Sequence, residues 1–203
     1  MSDPAYEDIE PVTAVRGFFE GAPSFPLRHR LFRLVWNVAW ALLAAWTPPP
    51  LRRWRVMLLN LFGAAVDRTA SVYGSARIWY PPNLSMGARS VMGPRVTCYC
   101  MARISIGERV VISQGAHLCA GSHRVDHPAF ALVAQPIDIG PQAWIAAEAF
   151  VGPGVTVGAG AVLGARGVAF KALEAWTIHV GNPARPVRPR HVGGNSRQER
   201  PGL

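Results

Sequence analysis

The chain has 203 residues, of which 50% are hydrophobic and 16% are charged, and its formal net charge is +9. This composition excludes a mostly disordered chain, and the length suits one domain with a continuous core. The positive charge does not indicate nucleic-acid binding, because the 21 basic residues are dispersed and the longest basic cluster is Arg52–Arg55. It fits a small phosphate-bearing ligand or an anionic surface better.

The N-terminal residues 1–27 are predicted to be a flexible segment. Residues 1–12 are acidic and polar, and they lack the basic start and apolar stretch of a secretion signal. We therefore expect a cytoplasmic protein, and contact with the inner face of the membrane remains an open alternative.

Residues 28–65 are predicted to form a helical element. Leu31–Trp46 is strongly apolar, but it is shorter than the roughly twenty residues that span a bilayer. Three prolines at positions 48–50 end this helix, and Leu51–Phe62 is a second amphipathic candidate. Two roles stay open for the element. It caps the first coil of the domain that follows, or it makes peripheral membrane contact through residues 31–62.

Residues 66–170 contain a six-residue repeat of apolar positions, which slips by two residues at Leu84-Ser85 and Ile104-Ser105. The residue four positions later in each repeat is small or β-branched. Such repetition predicts an all-β solenoid, a parallel β-helix in which three repeats make one triangular coil. The repeated positions are Val66, Val72, Ile78, Met86, Met92, Cys98, Ile106, Ile112, Leu118, Ile139, Ile145, Val151, Val157 and Leu163.

Glycine often follows the repeated apolar residue, as at Gly107 and Gly140, and this suits corners where the backbone turns sharply. The three cysteines, Cys98, Cys100 and Cys119, also occupy repeat positions. Their number and spacing match neither a disulfide framework nor a zinc motif, so we expect reduced thiols in or near the core.

One interruption breaks the repeat after Leu118 and predicts an ejected loop at 124–138, directly after His123. Loops that leave a rigid scaffold commonly carry function. A neutral imidazole at such a position is a suitable general base for a hydroxyl group. Asp126, Glu148 or a backbone carbonyl could orient this ring, and spacing alone does not choose among them.

The segment Val111–His123, the residues 126–130 after it and the tail motif 181–186 resemble the hexapeptide-repeat O-acetyltransferases of colanic acid biosynthesis. That family lies within the maltose, galactoside and nodulation acetyltransferase group. The resemblance covers about residues 28–190, N-terminal helices included. It implies a left-handed β-helix, a homotrimer with active sites between subunits, acetyl-CoA as the acyl donor and no metal.

The resemblance also implies roles for individual residues. His123 would be the general base for direct acetyl transfer to a sugar or saccharide hydroxyl of the exopolysaccharide type. The donor side would comprise Trp144, the backbone of Ala147 and Ala165, and, in a CoA-contacting segment at 171–190, the cations Lys171, Arg185 and Arg188. The acceptor side would comprise Cys100, Asp126 and His127. Residues 191–203 are predicted to be a disordered tail.

Two other hypotheses remain. A zinc enzyme like the γ-type carbonic anhydrases would need His117, His123 and His127 to meet at one ion, but positions 117 and 123 are one repeat apart and belong to adjacent faces. A noncatalytic scaffold would need only the solenoid surface, and the histidine loop and the basic tail argue against it.

Overall fold

The computed structural model describes residues 25–126, 128 and 130–191. His127 lies outside the described residues, as do nearly all of the predicted N-terminal segment 1–27 and tail 191–203. The N-terminal part contains helix α1 (Leu27–Leu43), a short 3-10 turn (Pro49–Leu51) and helix α2 (Arg52–Leu61). No helix in the described part of the chain is long and apolar enough to cross a membrane.

Short strands form three parallel sheets, which are the three faces of a triangular solenoid. Sheet A contains β1 (Ala65–Val66), β4 (Leu84–Met86), β7 (Ile104–Ile106), β12 (Ile137–Ile139) and β15 (Thr156–Val157). Sheet B contains β2 (Ser71–Val72), β5 (Val91–Met92), β8 (Val111–Ile112), β13 (Trp144–Ile145), β16 (Val162–Leu163), β18 (Thr177–Val180) and the antiparallel β19 (Arg185–Pro189). Sheet C contains β3 (Arg77–Ile78), β6 (Thr97–Tyr99), β9 (His117–Cys119), β14 (Phe150–Val151) and β17 (Val168–Ala169). The predicted all-β solenoid is confirmed.

The core is a narrow column inside this prism. All fourteen repeated apolar positions named above are buried, and stacked coils align them, so that Val66 pairs with Met86 and Met86 with Ile106. The two-residue slips lengthen the strands of sheet A and bury one more side chain in each, including Leu84 and Ile104. Burial of apolar side chains along this column is the main stabilising contribution to the fold.

Glycine is needed after the repeated positions for a different reason from the predicted sharp turn. Gly140 does not adopt a positive φ, and the left-handed residue of that corner is Gln142, at φ 60°. A Cβ at Gly140 would lie 2.6 Å from the backbone nitrogen of Ala159 in the next coil. Glycine is required there by the close approach of stacked backbones rather than by the turn.

The helices cover the open edge of the first coil. N–H groups of each coil donate to carbonyls of the next, as from Tyr73 to Met92 (3.0 Å), so first-coil carbonyls have no preceding strand to accept from. Side chains of α1 and α2 supply those donors. The bonds run from Asn60 to Val66 (2.8 Å), Arg52 to Thr69 (3.2 Å), Arg55 to Val72 (2.6 Å), Trp40 to Gly74 (3.0 Å) and Ala76 (3.1 Å), and Trp36 to Ile78 (2.7 Å).

The excursion between β9 and β12 is an antiparallel hairpin of β10 (Gly121–His123) and β11 (Leu132–Ala134). It leaves the solenoid at the corner between sheets C and A. Its limits differ from the predicted loop 124–138, because Ile137 is fully buried and pairs with Ile104 in sheet A. His123, which was predicted to lie directly before the loop, is the last residue of strand β10.

Candidate active site

The hairpin rests on the outer surface of sheet C. A Cβ at Gly121 would meet the sulfur of Met101 and a ring atom of Tyr99, so glycine lets β10 pack closely on these two side chains. In β10, His123 pairs with Leu132 of β11, and its side chain is half-buried. Stacking of β10 on the rigid solenoid thus fixes the backbone that carries the imidazole.

The imidazole of His123 is oriented by the main chain. Its Nδ1 lies 2.9 Å from the carbonyl oxygen of Phe130, and the two rings stack with centroids 4.4 Å apart and planes 13° apart. A carbonyl oxygen only accepts, so Nδ1 carries the proton and the lone pair of the neutral ring lies on Nε2. This is the tautomer that a general base needs at Nε2.

The two carboxylates considered for this role lie elsewhere. Glu148 is paired with Arg166 at 2.6 Å, in the corners between sheets B and C. Asp126 is exposed near the tip of the hairpin. The sequence carries no signal for the Phe130 carbonyl, because every residue has one and only the hairpin geometry brings this one to the ring.

The predicted donor-side residues Trp144, Ala147 and Ala165 follow sheet B and its corner with sheet C. Trp144 is 44% exposed, and its indole N–H donates to Ser113 Oγ at 2.9 Å. Ala147 and Ala165 occupy stacked corners, linked by a bond from the Arg166 N–H to the Ala147 carbonyl (2.9 Å). A row of backbone with small side chains leaves room for an extended ligand along this corner.

The predicted phosphate-binding cations lie at the C-terminal end of the solenoid. Lys171, Arg185 and Arg188 are all exposed. Lys171 and Arg185 line a cavity of about 250 Å³ together with His179. His179 is 3% exposed, and its Nδ1 has no hydrogen-bond partner among the residues that the structure describes. Nothing in the repeat marks His179 as a buried position, because it lies after the repeats.

His123 and Trp144 do not share a face. The hairpin of His123 projects from the corner between sheets C and A, which is the corner opposite sheet B in a triangular coil, whereas Trp144 projects outward from sheet B. A single chain therefore does not bring these two predicted site residues together.

The placement of Cys100 corrects its predicted role in acceptor contact. Its side chain is fully buried, and its thiol donates to the Tyr80 carbonyl at 3.2 Å and accepts from the Tyr80 N–H at 3.3 Å. Because strand side chains alternate, the neighbouring Tyr99 points outward instead and lies against Gly121. Tyr99 was missed because its position in the repeat carries no fixed residue type.

Among the described residues no group of three or more His, Cys, Asp or Glu side chains is arranged to hold a metal ion. His117 is half-buried on sheet C, in edge-to-face contact with Phe150 (centroids 5.3 Å apart). Burial lowers the pKa of the His117 imidazole, which favours its neutral form.

The chain was compared with protein-family models, with named proteins and with solved structures. No protein-family model matches the chain. A protein named as a colanic acid biosynthesis acetyltransferase (WcaF) in Escherichia coli (strain K12) is 42% identical over 156 residues, which cover 77% of this chain and 86% of that protein. A solved galactoside acetyltransferase in complex with coenzyme A aligns with a TM-score of 0.74 at 22% identity, over 83% of this chain and 86% of that one. A hexapeptide-repeat acetyltransferase from Vibrio cholerae, complexed with acetyl coenzyme A, aligns with a TM-score of 0.72 at 20% identity, over 84% and 93%. The solved structures show the fold, a left-handed parallel β-helix.

Proposed function

Because the chain belongs to the hexapeptide-repeat acetyltransferases and is an acyltransferase, we propose that it transfers acetyl from acetyl-CoA to a saccharide hydroxyl, with His123 as general base. The observation that carries the proposal is the bond between His123 Nδ1 and the Phe130 carbonyl, since it makes Nε2 the basic nitrogen. A saccharide acceptor is supported by the name of the colanic acid relative and by the galactoside acetyltransferase among the solved structures.

The reaction needs one proton relay. Nε2 of His123 takes the proton from the acceptor hydroxyl as its oxygen attacks the thioester carbonyl carbon. The tetrahedral intermediate then collapses, the carbon–sulfur bond breaks, and the imidazolium returns the proton to the leaving CoA sulfur. The products are the O-acetyl ester and CoA, and no acyl-enzyme forms. A donor to the intermediate's oxyanion is also required, and backbone N–H groups are the usual source.

We assign the donor side to Trp144 and the C-terminal cations. The pantetheine arm would follow the small-residue corner of Ala147 and Ala165, and its phosphates would meet Lys171, Arg185 and Arg188. Charge-assisted bonds to phosphate are stronger than neutral ones, and these three cations are exposed and therefore accessible to a phosphate. We also propose a cytoplasmic location, where acetyl-CoA is available.

The active form is proposed to be a homotrimer. His123 and Trp144 lie on opposite sides of the prism, so they meet at one acetyl-CoA only if they come from different subunits. A closed ring of three chains provides three such sites, each with the hairpin of one subunit facing sheet B of the next.

Titration of the purified protein with CoA, followed by an assay of acetyl transfer to a panel of saccharides, tests the function. CoA binding with acceptor-dependent release of free thiol is expected. Absence of CoA binding would overturn the proposal, and one bound zinc ion per chain in metal analysis would favour the carbonic-anhydrase-like hypothesis instead.

Mixed trimers test the shared site. We would co-express His123→Ala chains with chains carrying Trp144→Ala, Arg185→Ala and Arg188→Ala, under two different affinity tags. Each variant alone is expected to be inactive. A site needs an intact hairpin and an intact donor side from neighbouring chains, so random mixing should restore about one quarter of all sites and about one third of those in the doubly tagged fraction. No recovery in the doubly tagged fraction would place the whole site within one chain.

A further inference from the structure

Helix α1 is apolar on both sides. Trp36 and Trp40 are buried against the first coil, and on an α-helix Leu34 and Val38 lie roughly opposite to them. The side chains of this outer row are about half to two-thirds exposed. They are Leu27, Leu31, Leu34, Val35, Val38 and Leu42, at 49% to 67% exposure. A contiguous exposed apolar row of this length marks a contact surface.

Helix α2 and the connection before it extend the row. Trp46 is 72% exposed, Met57 53% and Leu61 76%, while α2 buries Val56, Leu58 and Leu59. We call the outer apolar row of α1 together with Trp46, Met57 and Leu61 the cap surface. It lies at the N-terminal end of the solenoid, away from the first coil that the inner faces of the helices cover.

The formally charged side chains of α1 and α2 are all arginines. Arg28 and Arg30 are exposed on either side of the outer row at the start of α1, and Arg53 is exposed on α2. Residues 25–66 contain no aspartate or glutamate. A second copy docked through the same surface would bring these arginines together, whereas anionic lipid headgroups would pair with them.

We propose that the cap surface docks on the surface of an anionic lipid bilayer. Leucine, valine and tryptophan side chains would enter the boundary between headgroups and acyl chains, and the arginines would contact the phosphates. The helix lies in the plane of the membrane, because its 17 residues reach only about 26 Å, less than the roughly 30 Å hydrocarbon core.

If the cap surface docks on a bilayer, the acceptor saccharide can be one that is carried on a lipid. This inference rests on the proposed function. A cavity of about 620 Å³ lies between α1 and sheet C, lined in part by Trp40, Trp79 and Tyr99. Trp79 and Tyr99 meet edge to face with centroids 5.3 Å apart, and Tyr99 lies against Gly121 of the His123 hairpin. An aromatic surface thus leads from the inner side of α1 toward the proposed base, and a saccharide carried on a lipid at the docked helix would be presented along it.

Co-sedimentation of the full chain with vesicles tests the docking. The probes are vesicles of phosphatidylcholine alone and vesicles that also contain phosphatidylglycerol. We expect binding to the anionic vesicles, weakened by salt, and little binding to the neutral ones. The double variant Leu34→Gln, Val38→Gln, which keeps the net charge, should bind the anionic vesicles more than about tenfold more weakly. Val187→Gln, an exposed valine at the other end of the chain, is the matched control and should bind like the wild type.

Three outcomes would overturn the proposal. They are no binding of the wild type to anionic vesicles, equal binding by the double variant, and a loss of oligomeric mass in the double variant, which would make the cap surface a contact between copies. CoA binding and acetyl transfer to a soluble saccharide are read separately. A docked protein without CoA binding would refute the proposed function alone, and an active protein that ignores vesicles would refute the docking alone.

Discussion

The Nδ1 atom of His123 lies 2.9 Å from the carbonyl oxygen of Phe130, and the side chain of Phe130 stacks on the same imidazole. One residue thus fixes both the tautomer and the plane of the ring. Many histidine bases are oriented by a carboxylate, which also stabilises the positive charge that forms on the ring. Here a backbone carbonyl lies at Nδ1, the position that the carboxylate takes in those sites.

His123→Asn separates orientation from basicity. The asparagine amide N–H can still donate to the Phe130 carbonyl, but no basic nitrogen remains. We expect kcat for acetyl transfer to fall by about 10² to 10⁴-fold, the usual contribution of a general base, with KM for acetyl-CoA nearly unchanged. Steady-state kinetics with a CoA titration of the variant measures both. A variant with wild-type kcat would exclude His123 as the base.

Arg188→Ala should weaken the binding of acetyl-CoA without changing the rate of acetyl transfer. Arg188 is exposed in β19, and a lost charge-assisted bond to a phosphate there corresponds to about a tenfold higher KM for acetyl-CoA, with kcat little changed. The increase should shrink in high salt, since the contact is electrostatic. Arg68→Ala, which removes an exposed arginine near the other end of the solenoid, is the control. Equal KM values for the two variants would remove Arg188 from the donor site.

The sequence predicted the fold well, because burial in a narrow prism constrains every sixth residue. Side chains at positions such as Ile112 and Leu118 can only point into the core, and all of the repeated positions are buried. Contacts made by the backbone were not predictable. The Phe130 carbonyl and the close approach at Gly140 depend on how distant segments stack, and residue type records neither. At Cys100 two expectations conflicted, because the resemblance implied a contact with the acceptor whereas the repeat placed the thiol in or near the core. The structure buries this side chain completely.

The capping donors form a further group that only the structure reveals, and Arg55 is the most buried of them. It is 1% exposed, and its guanidinium donates to carbonyls of Val72, Thr47, Pro48 and Pro49 and to the Thr47 hydroxyl. Burial lowers the pKa of this group, and carbonyl dipoles rather than an anion compensate its charge.

Arg55→Met should therefore destabilise the fold by about 3 kcal/mol or more, because it leaves several buried acceptors without donors. Arg53→Met, at an exposed position two residues earlier in α2, should change the free energy of unfolding by less than about 0.5 kcal/mol. Chemical denaturation at one fixed protein concentration measures both. Equal stability of the two variants would show that the cap contributes no hydrogen-bond energy through Arg55.

Two histidines should make the fold sensitive to mild acid. Burial lowers the pKa of His117, and burial together with the charge of Arg33 lowers the pKa of His29, both from an ordinary value of 6.5. Between the lowered folded values and 6.5 the unfolded chain binds more protons, so stability rises with pH through this window. The contribution is complete above the unfolded pKa and is lost as pH falls toward the folded pKa.

We expect the free energy of unfolding to be lower at about pH 5.5 than at about pH 7.5, and His29→Phe or His117→Phe to reduce that difference. Phenylalanine keeps the aromatic contacts of both sites, which His29 makes with Tyr80 (4.5 Å between centroids) and His117 makes with Phe150. His191→Phe changes an exposed histidine and should leave the difference unaltered. If the His29 and His117 variants kept the full wild-type difference, the acid sensitivity would have to come from carboxylates, whose protonation has the same sign.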